Sequence, residues 1–182
     1  MSFPTYADLI YGDERTTGTT RLFPVGMKGV MPDGRVFRYC LADGALGNHK
    51  GAQSADVIHE QNTAAAASAG DLSLSIVLAS AAEDAYADGF IEVHTTVVQA
   101  ALKIRGNDED DDTNTTIHLW EPLLVDAAAG TFTSMHESAY NSITAKSGSY
   151  TSVVCVPRVA VTSGHYFWGQ TRGPTILSLI HI

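Results

Sequence analysis

The densest run of ionisable groups in the chain is Asp108-Glu109-Asp110-Asp111-Asp112, followed by Asn114 and Glu121. Counted from Asp110, the side chains of Asp112, Asn114 and Glu121 fall at positions three, five and twelve of a calcium-binding loop. Position six is Thr115, where the sharp turn requires glycine, and the flanks read as strands instead of two helices. The run is therefore expected to be a solvated hairpin loop between Ile104 and Ile117, with no metal bound. Seven histidines (His49, His59, His94, His118, His136, His165 and His181) show no His-x-His, His-Glu-x-x-His or paired-cysteine spacing. His94 and His118 both fall in expected strands and are the pair that a sheet could bring together, yet a satisfied or surface histidine is the plainer expectation.

Nucleophilic catalysis finds no Gly-x-Ser-x-Gly, and Ser147-Gly148-Ser149 and Ser163-Gly164-His165 read as turns. Gly26, Gly29 and Gly34 precede no helical pattern, so they do not form a phosphate-binding loop. Cys40 and Cys155 are far apart in sequence, which points to two free, buried thiols instead of a disulfide framework or zinc site. In Tyr166-Phe167-Trp168, strand alternation puts Tyr166 and Trp168 on one face and Phe167 on the other. Core packing on at least one side is expected, and a stacking platform for a sugar or base is the functional alternative. Taken together, these residues predict no catalytic group, no cofactor and no metal, hence a protein that is not an enzyme.

The elements that would position these groups are mostly strands. Leu72, Leu74, Ile76 and Leu78 alternate with Ser73, Ser75 and Val77, the clearest half-buried strand. Pro32-Asp33-Gly34 is a turn between Val30-Met31 and the run from Arg35 to Leu41, which predicts a hairpin. Further strands are expected over 90–95, 97–105, 115–120, 150–156, 158–162 and 165–170. The Ala-, Gly- and Ser-rich stretch 42–71, with Ala64 to Ala67 in a row, leaves room for a short helix or a loop. The fold class is thus mainly β, an antiparallel sandwich or barrel, with one β-rich domain over 21–176. Residues 1–20 carry Tyr6, Leu9, Ile10 and Tyr11 without a period and read as an extended N-terminal arm, lying across its own domain or docking on a neighbour.

Eleven Lys and Arg against twenty Asp and Glu give a net charge of −9, which disfavours nucleic-acid binding. No window approaches the roughly 18 apolar residues of a membrane span, and the N-terminus lacks a secretory signal. Leu177-Ser178-Leu179-Ile180-His181-Ile182 is the translation of a transposon mosaic-end adapter, so a non-native tail is expected over 177–182, with the native chain continuing past about Ile176. A native apolar strand is the alternative there.

Several segments, in order along the chain, carry a resemblance. They are Tyr11-Gly12-Asp13-Glu14-Arg15, Met31-Pro32-Asp33-Gly34-Arg35-Val36-Phe37-Arg38-Tyr39, Ala85-Tyr86-Ala87-Asp88-Gly89-Phe90-Ile91-Glu92-Val93, Leu102-Lys103-Ile104-Arg105-Gly106-Asn107, Leu119-Trp120-Glu121-Pro122-Leu123, and Tyr166 through Pro174. In these the chain resembles a family of tailed-bacteriophage virion proteins, of the head-decoration or capsid-associated type. The resemblance implies a structural component without an active site, made in the bacterial host cytoplasm and located on the capsid surface of the virion. Its implied partners are the phage major capsid protein and further copies of itself, with no nucleic acid and no membrane. The residues expected to make assembly contacts are Tyr6, Leu9, Tyr11, Arg15, Arg35 and Arg38. A carbohydrate- or receptor-binding β module of the virion is the alternative function, and a hydrolase a further one.

Overall fold

The structure is a computed structural model that describes residues 6–54, 58–95, 99–146 and 152–177. The fold is mainly β and antiparallel, as the sequence indicated. Its strands in chain order are β1 (Ala7–Asp8), β2 (Thr17–Gly18), β3 (Lys28–Val30), β4 (Val36–Leu41), β5 (Ala52–Ser54), β6 (Ile58–Asn62) and β7 (Ser73–Ile76), then β8 (Phe90–Val93), β9 (Gln99–Asn107), β10 (Thr115–Leu119), β11 (Phe132–His136), β12 (Ile143–Ala145), β13 (Val156–Pro157) and β14 (Tyr166–Arg172). Among the described residues no helix is long and apolar enough to cross a membrane. The sequence offered no boundary inside 21–176, but the chain divides into two compact units: residues 1–55 with 139–182, and residues 56–138 inserted between them.

The first unit is built on a sheet of order β1-β3-β4-β14-β13, with β2 also on β14, and a separate β5–β12 pair. The expected hairpin is present: β3 and β4 are antiparallel, and Gly34 closes the turn at φ 82°, a conformation glycine tolerates best. Asp33 braces it by accepting from the Arg35 backbone N–H at 3.1 Å and from Arg35 Nε at 2.7 Å. Alternation along β4 and β14 sends side chains to two cores. Phe37, Tyr39 and Trp168 join Leu9, Met27 and Met31 in one, while Cys40 and Phe167 join Leu46, Ile143, Cys155 and Val161 in the other. Because this sheet is covered on both faces, Phe167 and Trp168 are both buried although they point in opposite directions.

Close approach fixes two glycines here. A Cβ on Gly29 would come within 2.6 Å of Leu9 Cδ1 and 2.8 Å of Trp168 Cζ3. One on Gly169 would meet Cys155 Sγ at 2.5 Å. Cys40 and Cys155 are free and buried, with their sulfurs 4.0 Å apart. Burial, reinforced by the neighbouring Cys155, pushes the Cys40 thiol well up, which keeps it protonated and inert. Residues 6–20 lie across their own unit: β1 runs parallel to β3, β2 pairs with β14, and Leu9 fills the space that Gly29 leaves.

The second unit is a curled, barrel-like antiparallel sheet. Its sheet runs β6-β11-β8-β9-β10-β7, and the two outer strands then meet through a bridge between Thr63 and Ile76. Val77 N–H to Asn62 C=O and Ala64 N–H to Ser75 C=O, both 2.8 Å, flank that bridge. Leu74, Ile76, Ile91, Val93, Ile104, Ile117 and Met135 point inward and fill the interior, so this barrel has a packed core and no lumen.

One loop design occurs four times. Each copy starts at a buried residue (Ala42, Thr63, Leu123, Pro157) and four residues later reaches a second buried one (Leu46, Ala67, Ala127, Val161). Those second residues bridge pairwise, Leu46 with Val161 and Ala67 with Ala127. Three residues on, each copy adopts a left-handed conformation, at His49, Gly70, Gly130 and Gly164. The N–H at that point donates to the first residue of the paired copy: His49 to Pro157, Gly164 to Ala42, Gly70 to Leu123 and Gly130 to Thr63, at 2.7–3.0 Å. Each unit therefore carries a reciprocal pair of these loops, with matching strand exchange: β4 with β14 in the first, β6 with β11 and β7 with β10 in the second.

This design overrides two local expectations. Residues 42–71 hold no helix among those described; they form β5, β6 and two copies of the loop, whose backbone hydrogen bonds pin Thr63 and Ala67. Residues 158–162 form no strand, because they span most of the fourth copy. Of the strand expected over 150–156, only its end is seen, as Cys155 bridges Ala52 and β13 begins at Val156; Tyr150 and Thr151 lie outside the described residues.

Candidate functional site

The N-terminal segment of the first unit is anchored and yet presents apolar side chains. Leu9 is core, and Glu14 is buried, its Oε2 accepting the Gly12 N–H at 2.7 Å across the short 3-10 turn Asp13–Arg15. Between and around these anchors Tyr6, Ile10, Tyr11 and Leu22 are 50%, 69%, 64% and 68% exposed. Of the residues expected to make assembly contacts, Tyr6 and Tyr11 are thus at the surface, whereas Leu9 is not. Its side chain is taken up by Gly29 and the Trp168 core, which leaves none of it for a partner.

The three arginines differ. Arg15 is exposed, with Nε 3.6 Å from Glu14 Oε1. Arg35 is paired with Asp33 and lies over the Phe37 ring at 5.6 Å. Arg38 donates to the Gly26 carbonyl at 2.8 Å and stacks over Tyr140, so its head group is engaged within the unit. Arg158, which sequence reasoning passed over, joins Arg15 and Arg35 in a positive string around His49. Arg158 Nη1 sits 3.5 Å from His49 Nδ1, and Arg158 and Arg35 both line a surface cleft of about 480 Å³.

His49, which this string surrounds, is the telling residue. Three of the four equivalent loop positions are glycine, but this one holds an imidazole at φ 57°. A left-handed conformation costs a non-glycine residue about 1–2 kcal/mol, a cost met most often where the side chain has a task. Burial, then the charges of Arg158 and Arg15, holds its pKa below the usual histidine value. Protonation therefore favours the unfolded chain, and what His49 contributes to stability is present above the unfolded value of about 6.5 and lost as pH falls from there through its lower folded value. A proton NMR titration should place its midpoint below that value, and Arg158→Ala should move it upward; an unmoved midpoint would refute the contact.

The acidic loop is spent on its own turn. It joins β9 to β10 as a hairpin, and Asp111 Oδ1 accepts the backbone N–H groups of Thr113 and Asn114 at 3.2 and 2.7 Å and the Thr113 hydroxyl at 2.9 Å. Those bonds, the Asn114 N–H first, pull the Asp111 pKa down. Among the described residues no three His, Cys, Asp or Glu side chains are placed to hold a metal ion. His94 and His118 are not brought together: His94 follows β8 and bonds Ser134, while His118, on β10 beyond β9, pairs with Asp108 at 2.9 Å. Ser147-Gly148-Ser149 lies outside the described residues.

The aromatic triplet takes a form that alternation alone could not specify. Trp168 is only 4% exposed, so there is no open platform. Instead Tyr39, Tyr166 and Trp168 line a cleft of about 310 Å³ together with Leu22 and the threonine-rich stretch 16–20. No protein-family model, curated protein or solved structure matches this chain.

Proposed function

We propose that the chain is a structural, non-enzymatic component of a tailed-phage virion that binds the outside of the capsid and bridges its subunits. The observation that carries this reading is the surface of the first unit, where exposed Tyr6, Ile10 and Tyr11 sit on a pinned segment that ends in Arg15, on a chain of net charge −9. Apolar side chains displayed on a fixed backbone lose little freedom on docking. The string Arg15, Arg158 and Arg35 adds a local positive field that would steer an acidic partner surface. The partner, the major capsid protein, and the place, the virion surface, are those that the sequence resemblance implies. Binding the assembled lattice in preference to free subunits would stabilise the shell by mass action, and a symmetric lattice favours a symmetric oligomer of the bound copies.

Deleting residues 1–20 is a poor test, because it would remove Leu9, β1 and β2 from the fold. Ile10→Asp and Tyr11→Ala change exposed side chains and should leave the melting temperature unchanged. Imaging cognate capsids mixed with the protein by cryo-electron microscopy should give regular density outside the shell, with the paired substitutions lowering occupancy at least tenfold. An undecorated shell would end this reading. A carbohydrate-binding module finds its aromatic residues lining a cleft in place of the exposed face it was expected to use.

A further inference from the structure

Four features of the cleft between β14 and the threonine stretch specify what could enter it. Its rings are held in place: Tyr39 and Tyr166 are parallel within 5° at 5.6 Å, Trp168 packs edge-on to Tyr39 at 5.0 Å, and Phe23 backs both Tyr39 and Trp168 at 5.3 Å. A ligand therefore meets a preorganised aromatic wall. Its side-chain polar groups are mostly hydroxyls, those of the threonine stretch, Tyr39 and Tyr166, with Thr16 Oγ1 donating to the Gly12 carbonyl and Thr17 Oγ1 beside His165 Nδ1, both at 3.5 Å. Tyr39 Oη accepts the Leu22 N–H at 3.2 Å, so the phenol's own hydrogen remains to be donated. Burial raises the Tyr39 pKa, which keeps that hydrogen in place at neutral pH.

The lining contains no Asp, Glu, Lys or Arg. Arg21, between Thr20 and Leu22, acts on Tyr39 from beside the cleft with its Nε donating to the Phe23 carbonyl at 3.4 Å, so the lining itself offers a charged ligand no partner. At about 310 Å³ the cleft is at the small end of ligand pockets, room for one or two six-membered rings. A ring with an apolar C–H face, a rim of hydroxyls and no charge meets all of these conditions.

We propose that this cleft binds one neutral pyranose ring of a glycan, its C–H face against Tyr166 and its hydroxyls on the threonine stretch and Tyr39. Nucleobases also stack on aromatic rings, but they arrive with phosphates that a chain of net charge −9 repels. Six-membered sugar rings held by one aromatic wall and a few hydroxyls bind weakly, with dissociation constants on the order of 0.1–10 mM.

Trp120 and Trp168 are the two tryptophans of the chain, so in a Trp120→Phe background the fluorescence reports on the cleft. That protein would be titrated with maltose, lactose and N,N′-diacetylchitobiose, and with uridine as the stacking control. At least one disaccharide should give a saturable change while uridine gives none. Tyr166→Ala should weaken the response about tenfold. Leu22→Glu, on an exposed wall residue that the core does not use, should weaken it comparably by placing a charge in a neutral cleft. Flat titrations with all three disaccharides, tighter saturation by uridine, or undiminished binding in both variants would each overturn the proposal. No capsid enters this experiment, so its failure leaves the capsid reading untouched, and an undecorated shell would leave the cleft untouched in turn.

Discussion

Gly89→Ala should cost the inserted barrel about 3 kcal/mol of stability, far more than alanine usually costs at a glycine. The reason is close approach, not conformation. A Cβ at this position would overlap the backbone carbonyl oxygen of His136 and stand 3.0 Å from that of Tyr86. Neither can swing aside as a side chain tip would. Gly89 N–H closes a turn onto Tyr86 at 3.0 Å and Gly89 C=O accepts from Ile104 at 3.0 Å, so relief requires β8 and β9 to shift together. Gly130→Ala, in the same unit, is the control, since nothing lies within 4 Å of its Cβ and only its positive φ is penalised. There the cost should be about 1 kcal/mol. Equal urea midpoints for these two variants would contradict the packing described.

The second large effect belongs to the first unit. Phe37 is fully buried between Met27, Met31, Leu9 and Trp168, and Phe37→Ala should cost about 3–5 kcal/mol through lost transfer energy and the cavity left behind. Phe37→Leu refills most of that volume and should cost less than half as much. The chain supplies its own reporters for both experiments, because Trp168 lies in the first unit and Trp120 in the second. With single-tryptophan proteins, Phe37→Ala should move the Trp168 transition and Gly89→Ala the Trp120 transition. Identical shifts of both reporters in both variants would mean that the units unfold as one cooperative block.

What the sequence makes legible follows the physics of each element. Alternation at Leu74 and Ile76 and the Pro32-Asp33-Gly34 turn are local signals, and both elements form where the pattern places them. Strand β6, Ile-His-Glu-Gln-Asn, carries almost no strand signal, since it is specified by its partners β11 and β7 and not by its own residues. The repeated loop is fainter still. Its backbone bonds constrain only a buried residue and a left-handed position three residues later, so Leu46, Ala67, Ala127 and Val161 can differ in type. For the same reason the alanine run at 64–67 is drawn out of helix. The cleft joins residues from 16–22, 39 and 166–168, and nothing local joins the threonine stretch to Tyr166.

The pairing of β5 with β12 sets Ser54 directly opposite Ile143. The polypeptide thus leaves the first unit and comes back to it across a single rung, about 5 Å. Topologically the whole intervening stretch is a hairpin connection, however many residues it holds, and lengthening such a connection costs little entropy. The barrel is therefore a passenger that its host can exchange. A turn of a few residues would join β5 to β12 without rethreading the sheet around them, and evolution could gain, lose or replace the passenger by the same route.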